Sequence, residues 1–247
     1  MPRVPTIAIA AVVCALSLGC NKRQDKKPDE PSTPGPTNGP TAEPGEKPTG
    51  VAEHMKEHFA RVKAVRDAVI SGDFEATRAP SRWLAEHGAP KNIPDPWIPL
   101  VTDFRVMSGG LQDATGIEGV ALALGPLARA CGSCHLDLKA NIKYSLPDSP
   151  TGDSFRDSMA RHRWAANLLW DAVVIPSNEA WTRGAEHFAT TKLAPEKAAG
   201  IDELVENALF LGKKAVKTTD PTARGNVYGE LLATCSACHE LTGVKPK

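Results

Sequence analysis

Apolar residues recur at helical spacing along most of the chain from residue 51 onward. In the segment VAEHMKEHFARVKAVRDAVI they form one stripe, with steps of three and four residues. The stripe consists of Met55, Phe59, Val62, Val65 or Arg66, and Val69. The residues SGD end this first predicted helix, and Asp73 can cap a second helix that runs to about Gly88. Pro80 leaves the start of the second helix open, because proline kinks a helix or occupies its first turn.

Six further helices are predicted from the same pattern. Two complete the first half, over residues 99–112 and 117–144. Four make up the second half, with Ser177 as a cap, over residues 153–175, 179–190, 195–217 and 221–241. Four antiparallel helices with short connections form an up-down bundle. The sequence therefore predicts an all-α fold of two tandem up-down four-helix bundles, residues 51–150 and 151–247.

The two halves repeat each other at an offset of 104 positions. Met55 corresponds to Met159, His58 corresponds to His162, and the tripeptide DAV occurs in both halves at this offset. Both halves end in the pattern Cys-x-x-Cys-His, as CGSCH at 131–135 and CSACH at 235–239. The tripeptide AEH recurs at an offset of 100, so the halves differ by a short gap there. Identities in one register that lead to the same motif indicate an internal duplication.

The first 50 residues have a different composition. Residues 1–20 contain one Arg, a short apolar run and small residues before Cys20, which is typical of an export signal. The ending LSLGC is similar to a bacterial lipobox, with Ser17 where Leu is usual, and it predicts lipidation of Cys20. Simple cleavage and an uncleaved anchor are the alternatives, and all three export the protein. Residues 21–50 are rich in Pro and Gly without a large apolar side chain, which predicts a disordered tether.

Charge and cysteine content narrow the possible functions. The formal net charge is zero, from 29 basic and 29 acidic residues, so the charge does not indicate a nucleic-acid partner. Of six cysteines, Cys14 and Cys20 lie in the export segment, and the other four belong to the two pentapeptides. No cysteine is left over for a disulfide elsewhere in the sequence.

Three kinds of chemistry use a Cys-x-x-Cys pattern. A thioredoxin-like dithiol opens a helix after a strand, whereas both pentapeptides here fall late in predicted helices. A four-cysteine zinc site would need one pair from each half, although a duplication implies that each half was once complete alone. Covalent haem attachment needs two thiols one helical turn apart and a neighbouring His as iron ligand. Each half supplies these three groups, which predicts two covalently attached haem c groups.

The segments LARACGSCHLDLK and LLATCSACHELTG resemble class II c-type cytochromes, the cytochrome c′ and c-556 group. The resemblance covers about residues 51–247 as a tandem pair. It implies that Cys131 and Cys134 form the thioether bonds of haem 1, with His135 as the proximal iron ligand. It implies the same roles at haem 2 for Cys235, Cys238 and His239. The stretch from helix one to the motif is shorter than usual in that family, so the resemblance does not define the distal pocket.

The ligand on the far side of each iron separates an electron carrier from a gas-binding protein. An iron closed on both sides exchanges electrons with little rearrangement, whereas an open iron binds small ligands. In an up-down bundle the start of helix one lies level with the motif. His58 and His162 are therefore the candidate distal ligands. Met55 and Met159, three residues away on the same helix face, are the alternative pair.

Two other histidines lie near the ends of the second helix of each half. These are His87 and His187, and a histidine at such a position often only interacts with the helix dipole. An open, five-coordinate iron is the remaining alternative. His54 has Ser158 as its counterpart and is expected at the surface.

These features predict an exported dihaem cytochrome that carries electrons between other redox proteins of the cell envelope. A lipid on Cys20 would hold it at the periplasmic face of a membrane, with the outer membrane favoured by Asn21, and without lipid it would be soluble in the periplasm. The alternative is a c′-like protein that binds NO or CO. A dihaem peroxidase is a third hypothesis, although such enzymes are generally larger. We expect no small-molecule substrate and no nucleic-acid partner.

Overall fold

The helical spacing of the sequence forms helices in the structure. The structure is a computed structural model, and it describes residues 50–89, 93–140, 142–193 and 198–243. These ranges contain a short 3-10 helix at Asp95–Trp97, no strand, and eight α-helices. The helices are α1 Val51–Ile70, α2 Phe74–Glu86, α3 Ile98–Asp113, α4 Ile117–Asp137, α5 Phe155–Val174, α6 Asn178–Thr190, α7 Ile201–Lys217 and α8 Pro221–Thr242. The all-α prediction is confirmed, while the predicted signal, Cys20 and most of the tether lie outside the described residues.

Both predicted helix caps are present. The Asp73 carboxylate accepts a hydrogen bond from the backbone N–H of Ala76 at 3.0 Å, at the start of α2. The Ser177 hydroxyl accepts one from the N–H of Ala180 at 3.2 Å, at the start of α6. Each side chain satisfies one of the N–H groups that the first turn of a helix leaves unpaired. Pro80 lies inside α2 and is buried there.

Two predicted helix boundaries are wrong. The fourth helix was expected to reach Tyr144 but ends at Asp137, shortly before Lys139, which has a left-handed φ of 50°. A helix cannot continue through that conformation. The seventh helix was expected from Pro195, which lies outside the described residues, and α7 begins only at Ile201 after Gly200 with φ of 85°.

The apolar stripe of α1 is buried only in its second half. Val62, Val65 and Val69 belong to the core. Met55 and Phe59, in the first half of the helix, are 41% and 46% exposed. Helical spacing therefore identified the buried face of α1 near its end but not near its beginning.

Within each half, helices that follow one another in the chain pack together. The last helix of each half, α4 or α8, connects the two halves. The most extensive helix contact is between α4 and α8, and α1 also packs on α8, as α5 does on α4. All eight helices belong to one compact unit of the chain. None of the described helices combines the length and apolarity needed to cross a membrane.

The contact between α4 and α8 depends on glycine. A Cβ added to Gly125 would lie 2.0 Å from the carbonyl oxygen of Gly225, far closer than two such atoms can approach. A Cβ added to Gly229, the counterpart of Gly125, would lie 3.0 Å from the carbonyl oxygen of Ala121, the counterpart of Gly225. Equivalent positions therefore make equivalent contacts, which relates the two halves by an approximate two-fold axis between α4 and α8.

A second pair of equivalent positions meets across the halves. Arg66 and Trp170 are 104 positions apart, and the Arg66 guanidinium lies 5.3 Å from the centre of the Trp170 ring. The same guanidinium donates a hydrogen bond to the side-chain oxygen of Asn167 at 2.8 Å. Because Arg66 is only 8% exposed, these contacts stabilise a charge that is largely removed from water.

A substitution at Gly125 tests this packing. We expect Gly125→Ala to lower the free energy of unfolding by about 1–3 kcal/mol, because the added methyl group must push α8 away. The matched control is Gly119→Ala in the same helix, where the new Cβ meets Ala114 at an ordinary 3.5 Å. That control should leave the stability unchanged or raise it by up to about 1 kcal/mol. Chemical unfolding of both variants checks the prediction, and equal stabilities would contradict it.

Candidate functional site

Each pentapeptide lies in the last turns of a helix. Cys131–His135 belongs to α4, and Cys235–His239 belongs to α8. Helical geometry places the two thiols of each motif one turn apart on the same face, with the histidine beside the second thiol. All four cysteines are free and half-buried. The prediction that the motifs fall late in helices is confirmed.

The motif histidines are both anchored by a backbone carbonyl. Nδ1 of His135 donates to the carbonyl oxygen of Val174 at 2.8 Å, and Nδ1 of His239 donates to the carbonyl oxygen of Ile70. A carbonyl can only accept, so the proton of each neutral ring lies on Nδ1. Nε2 then keeps its lone pair and can bind a metal. Both motif histidines are therefore held in the tautomer that leaves Nε2 free to bind a metal.

Each of these hydrogen bonds joins the two halves of the chain. Ile70 and Val174 are the last residues of α1 and α5, and they are counterparts at the offset of 104. The final carbonyls of a helix have no partner inside the helix, so they are free to accept from another side chain. The first half holds the motif histidine of the second half, and the second half holds that of the first.

In the second half, His162 lies with the cysteines of the motif. It lines a cavity of about 30 Å³ together with Cys235 and Cys238, and the other lining residues are mainly apolar. Its Nδ1 atom is buried and has no hydrogen-bond partner among the described residues. Burial, followed by the nearby His187 and His239, lowers the pKa of His162 to about 3. A neutral ring with an unpaired nitrogen beside the motif fits the role predicted for a distal ligand.

In the first half, His58 has different neighbours. The rings of His54, His58 and His87 form a group that we call the histidine cluster, with centroid separations of 4.2, 5.0 and 5.3 Å. Nε2 of His87 lies 3.3 Å from Nδ1 of His54. Nε2 of His58 is buried without a hydrogen-bond partner in the described part of the chain. Burial, with smaller contributions from His54 and His87, lowers the pKa of His58 to about 4.

Sequence reasoning missed His54. It was expected at the surface because its counterpart is Ser158, but it is half-buried and belongs to the histidine cluster. The signal was the spacing of four residues between His54 and His58, which places both rings on one face of α1. Comparison of the two halves does not identify His54, because the second half has no histidine at the corresponding position.

The other residues considered as distal ligands, and the predicted lipidation site, have the following positions. Met55 is 41% exposed, whereas Met159 is half-buried. His87 is the residue that follows α2, and His187 lies in α6 with its ring centre 6.2 Å from that of His162. The contact of His54 with His87 thus brings the start of α1 to the end of α2. Cys20 lies outside the described residues.

The thiols are protonated at neutral pH. Burial raises the pKa of Cys131 to about 12, and it does the same for Cys235. Burial also raises the pKa of Cys134 and of Cys238. Disulfide exchange needs a thiolate, and redox-active pairs have a lowered pKa. This arrangement is therefore unfavourable for a dithiol redox centre.

The side chains of this site suit a covalently attached haem, but the space between the helices is too small for one. The second half offers two adjacent thiols, a histidine with a free Nε2, a buried unpaired nitrogen on His162 and an apolar wall. A cavity of about 30 Å³ is far smaller than a porphyrin. Haem would therefore occupy this place only with the surrounding helices further apart than they are in this structure.

The buried histidine makes stability depend on pH. In the folded chain the pKa of His162 is about 3, below the value of 6.5 that the exposed ring has after unfolding. The unfolded chain then binds more protons, so stability is lost as pH falls from about 6.5. We expect His162→Leu to reduce the drop in unfolding free energy between pH 6.5 and pH 4. Chemical unfolding across this range checks it, and an unchanged slope would contradict the assignment.

Comparison with known proteins gave no match to a family model, to a curated protein or to a solved structure. Any functional assignment therefore depends on the residues and geometry of this chain. The two observations most useful for a functional assignment are the duplicated Cys-x-x-Cys-His motif and the exchange of histidine hydrogen bonds between the halves.

Proposed function

We propose that the protein is an exported c-type cytochrome with two covalently attached haems that carries electrons between redox proteins of the cell envelope. The observation that carries this proposal is the state of the two motif histidines. Both donate Nδ1–H to a helix-terminal carbonyl, which leaves Nε2 available beside a pair of thiols. Such a bond to the far nitrogen of a metal-binding imidazole fixes its orientation and raises its basicity.

The proposed architecture is a tandem pair of class II-like four-helix units. One unit consists of α1–α4 and the other of α5–α8. Sequential packing of helices within each half supports this division. The equivalent glycine contacts between α4 and α8 support a duplication whose two products remained in contact. We therefore propose two four-helix units that are joined through their motif helices, α4 and α8.

In this proposal each motif holds one haem. Cys131 and Cys134 form the thioether bonds of haem 1, and His135 is the proximal ligand of its iron. For haem 2 the corresponding residues are Cys235, Cys238 and His239. When bound, haem supplies a metal centre that gains and loses one electron. The chain attaches and orients it, and the apolar wall around His162 limits the access of water.

The sixth ligand is proposed separately for each haem. His162 is the distal candidate at haem 2, because it lines the cavity with Cys235 and Cys238 and its Nδ1 is buried without a partner among the described residues. His58 is the corresponding candidate at haem 1, with Met55 and Met159 as the alternatives. A haem iron with two protein ligands suits electron transfer, since neither ligand has to leave.

The location follows from the first 50 residues. We propose export by residues 1–20, and a lipid on Cys20 that anchors the protein at the periplasmic face of a membrane. The tether would allow the helical part to reach several redox partners. Covalent haem attachment outside the cytoplasm agrees with this location.

Gas binding at haem 1 is the second candidate function. His58 lies among His54, His87, Trp83 and Phe104, unlike His162, which lies with its motif cysteines. If His58 keeps these neighbours in the mature protein, the iron of haem 1 has an open position. NO or CO would then bind to haem 1 and not to haem 2.

The test uses the full chain, exported by a bacterium that attaches haem c. We expect two haems per chain by mass spectrometry of the denatured protein. The double substitution Cys131→Ser with Cys134→Ser should leave one haem, and Cys235→Ser with Cys238→Ser should leave the other. Protein that carries no covalent haem would overturn the proposal.

The same preparations separate the two functions. Low-spin absorption spectra that CO does not change, in both single-haem variants, are the result expected for an electron carrier. His162→Ala should then make haem 2 high-spin and able to bind CO. CO binding to the variant that retains only haem 1 would establish the gas-binding alternative for that site.

A further inference from the structure

The histidine cluster of the first half has no equivalent among the described residues of the second half. His54, His58 and His87 bring three imidazoles together, and their candidate ligand nitrogens all lie within 4.8 Å of one another. In the second half, Ser158 replaces His54. We propose that the histidine cluster is a binding site for a divalent transition-metal ion such as Zn²⁺, separate from the two haem motifs.

The spacing of the nitrogens matches a metal site. Zinc binds imidazole at about 2.0–2.1 Å in tetrahedral geometry, which places two ligand nitrogens about 3.3 Å apart. Nε2 of His87 and Nδ1 of His54 are separated by 3.3 Å. The candidate nitrogen of His58 lies within 4.8 Å of the other two, so a shift of this ring toward them would complete the set.

The local structure brings these rings together. His54 and His58 are one turn apart on α1, and His87 follows the last residue of α2, which packs on α1. The ring of Trp83 stacks on that of His87, with ring centres 3.8 Å apart and an angle of 18° between the ring planes. This stacking restricts the rotation of the imidazole. The ring centre of Phe104, a residue of α3, lies 5.0 Å from that of His58. Rigid neighbours of this kind keep a ligand in one orientation.

Burial favours the neutral form of two rings of the histidine cluster, which is the form that binds a metal ion. Burial lowers the pKa of His54 and that of His58, and in each case a neighbouring ring of the cluster adds to the effect. Protonation of one ring therefore opposes protonation of the next. A metal ion needs neutral imidazoles and binds several of them with one centre, which removes the cost of an unpaired buried nitrogen on His58.

The ligand type indicates which ions would bind. Imidazole nitrogen suits Zn²⁺, Cu²⁺ and Ni²⁺, whereas Ca²⁺ and Mg²⁺ prefer oxygen. Three protein ligands leave a fourth position for water or a small ligand. This site goes beyond the proposed function and competes with it only for His58. A metal bound here uses the nitrogen of His58, so haem 1 would then lack that distal ligand.

Zinc titration of the exported full chain tests the proposal, with any unreacted thiols blocked by alkylation beforehand. We expect one zinc ion per chain by calorimetry. Zinc-edge X-ray absorption should show nitrogen ligands at about 2.0–2.1 Å and no sulfur. His54→Ser, which introduces the residue of the second half, should weaken binding at least about tenfold, because loss of even an outer-shell partner costs about 10–100-fold.

His187→Gln is the matched control, since it removes the counterpart of His87 in the second half. Its zinc affinity should equal that of the unmodified protein. The proposal is overturned if no zinc binds, or if His54→Ser and His187→Gln have the same effect. A sulfur shell around zinc, seen without alkylation, would instead show free motif cysteines and would contradict haem attachment, not the histidine cluster.

Discussion

The structure depends on a hydrogen bond that each half provides to the other. The carbonyl of Ile70 accepts the Nδ1 proton of His239, and the carbonyl of Val174 accepts that of His135. A helix-terminal carbonyl carries part of the negative end of the helix dipole, so it is a strong acceptor for an imidazole N–H. Each motif histidine thus receives its orienting hydrogen bond from the other half. The two halves are therefore not independent units, because the orientation of each motif histidine requires the other half.

The glycines between α4 and α8 make this exchange possible. The hydrogen bonds form only if the two motif helices approach closely enough for α1 to reach α8 and for α5 to reach α4. Gly125 and Gly225 permit that approach because a side chain at Gly125 would overlap the facing backbone. Close backbone packing and histidine orientation are thus one constraint, and the equivalence of Gly125 and Gly229 shows that both halves share it.

Much of the fold was predictable, because it follows from local signals. Helical spacing and the caps Asp73 and Ser177 identified the eight helices, and the spacing of the duplicated motif placed it late in α4 and α8. The contact between the halves could not be predicted, since nothing in the motif indicates which carbonyl its histidine will meet. The histidine cluster was missed for a related reason. His54 belongs to the cluster because it contacts His87, which is distant in sequence. That contact requires α1 to pack on α2, and helical spacing alone does not specify this pairing.

For the two haems proposed for this chain, the most direct test is the reduction potential of each haem when the end of α1 is disturbed. Gly72 has φ of 69°, and a Cβ there would lie 3.6 Å from the backbone of Ser236 in α8. Gly72→Val strains this turn and should displace the Ile70 carbonyl from His239. Redox titration of variants with a single haem should show a more positive potential for the haem at Cys235 and Cys238, because its histidine becomes less basic. The haem at Cys131 and Cys134 should be unchanged. The haem at Cys131 and Cys134 belongs to the same half as Gly72. A shift confined to this haem would contradict the exchange of histidine hydrogen bonds between the halves.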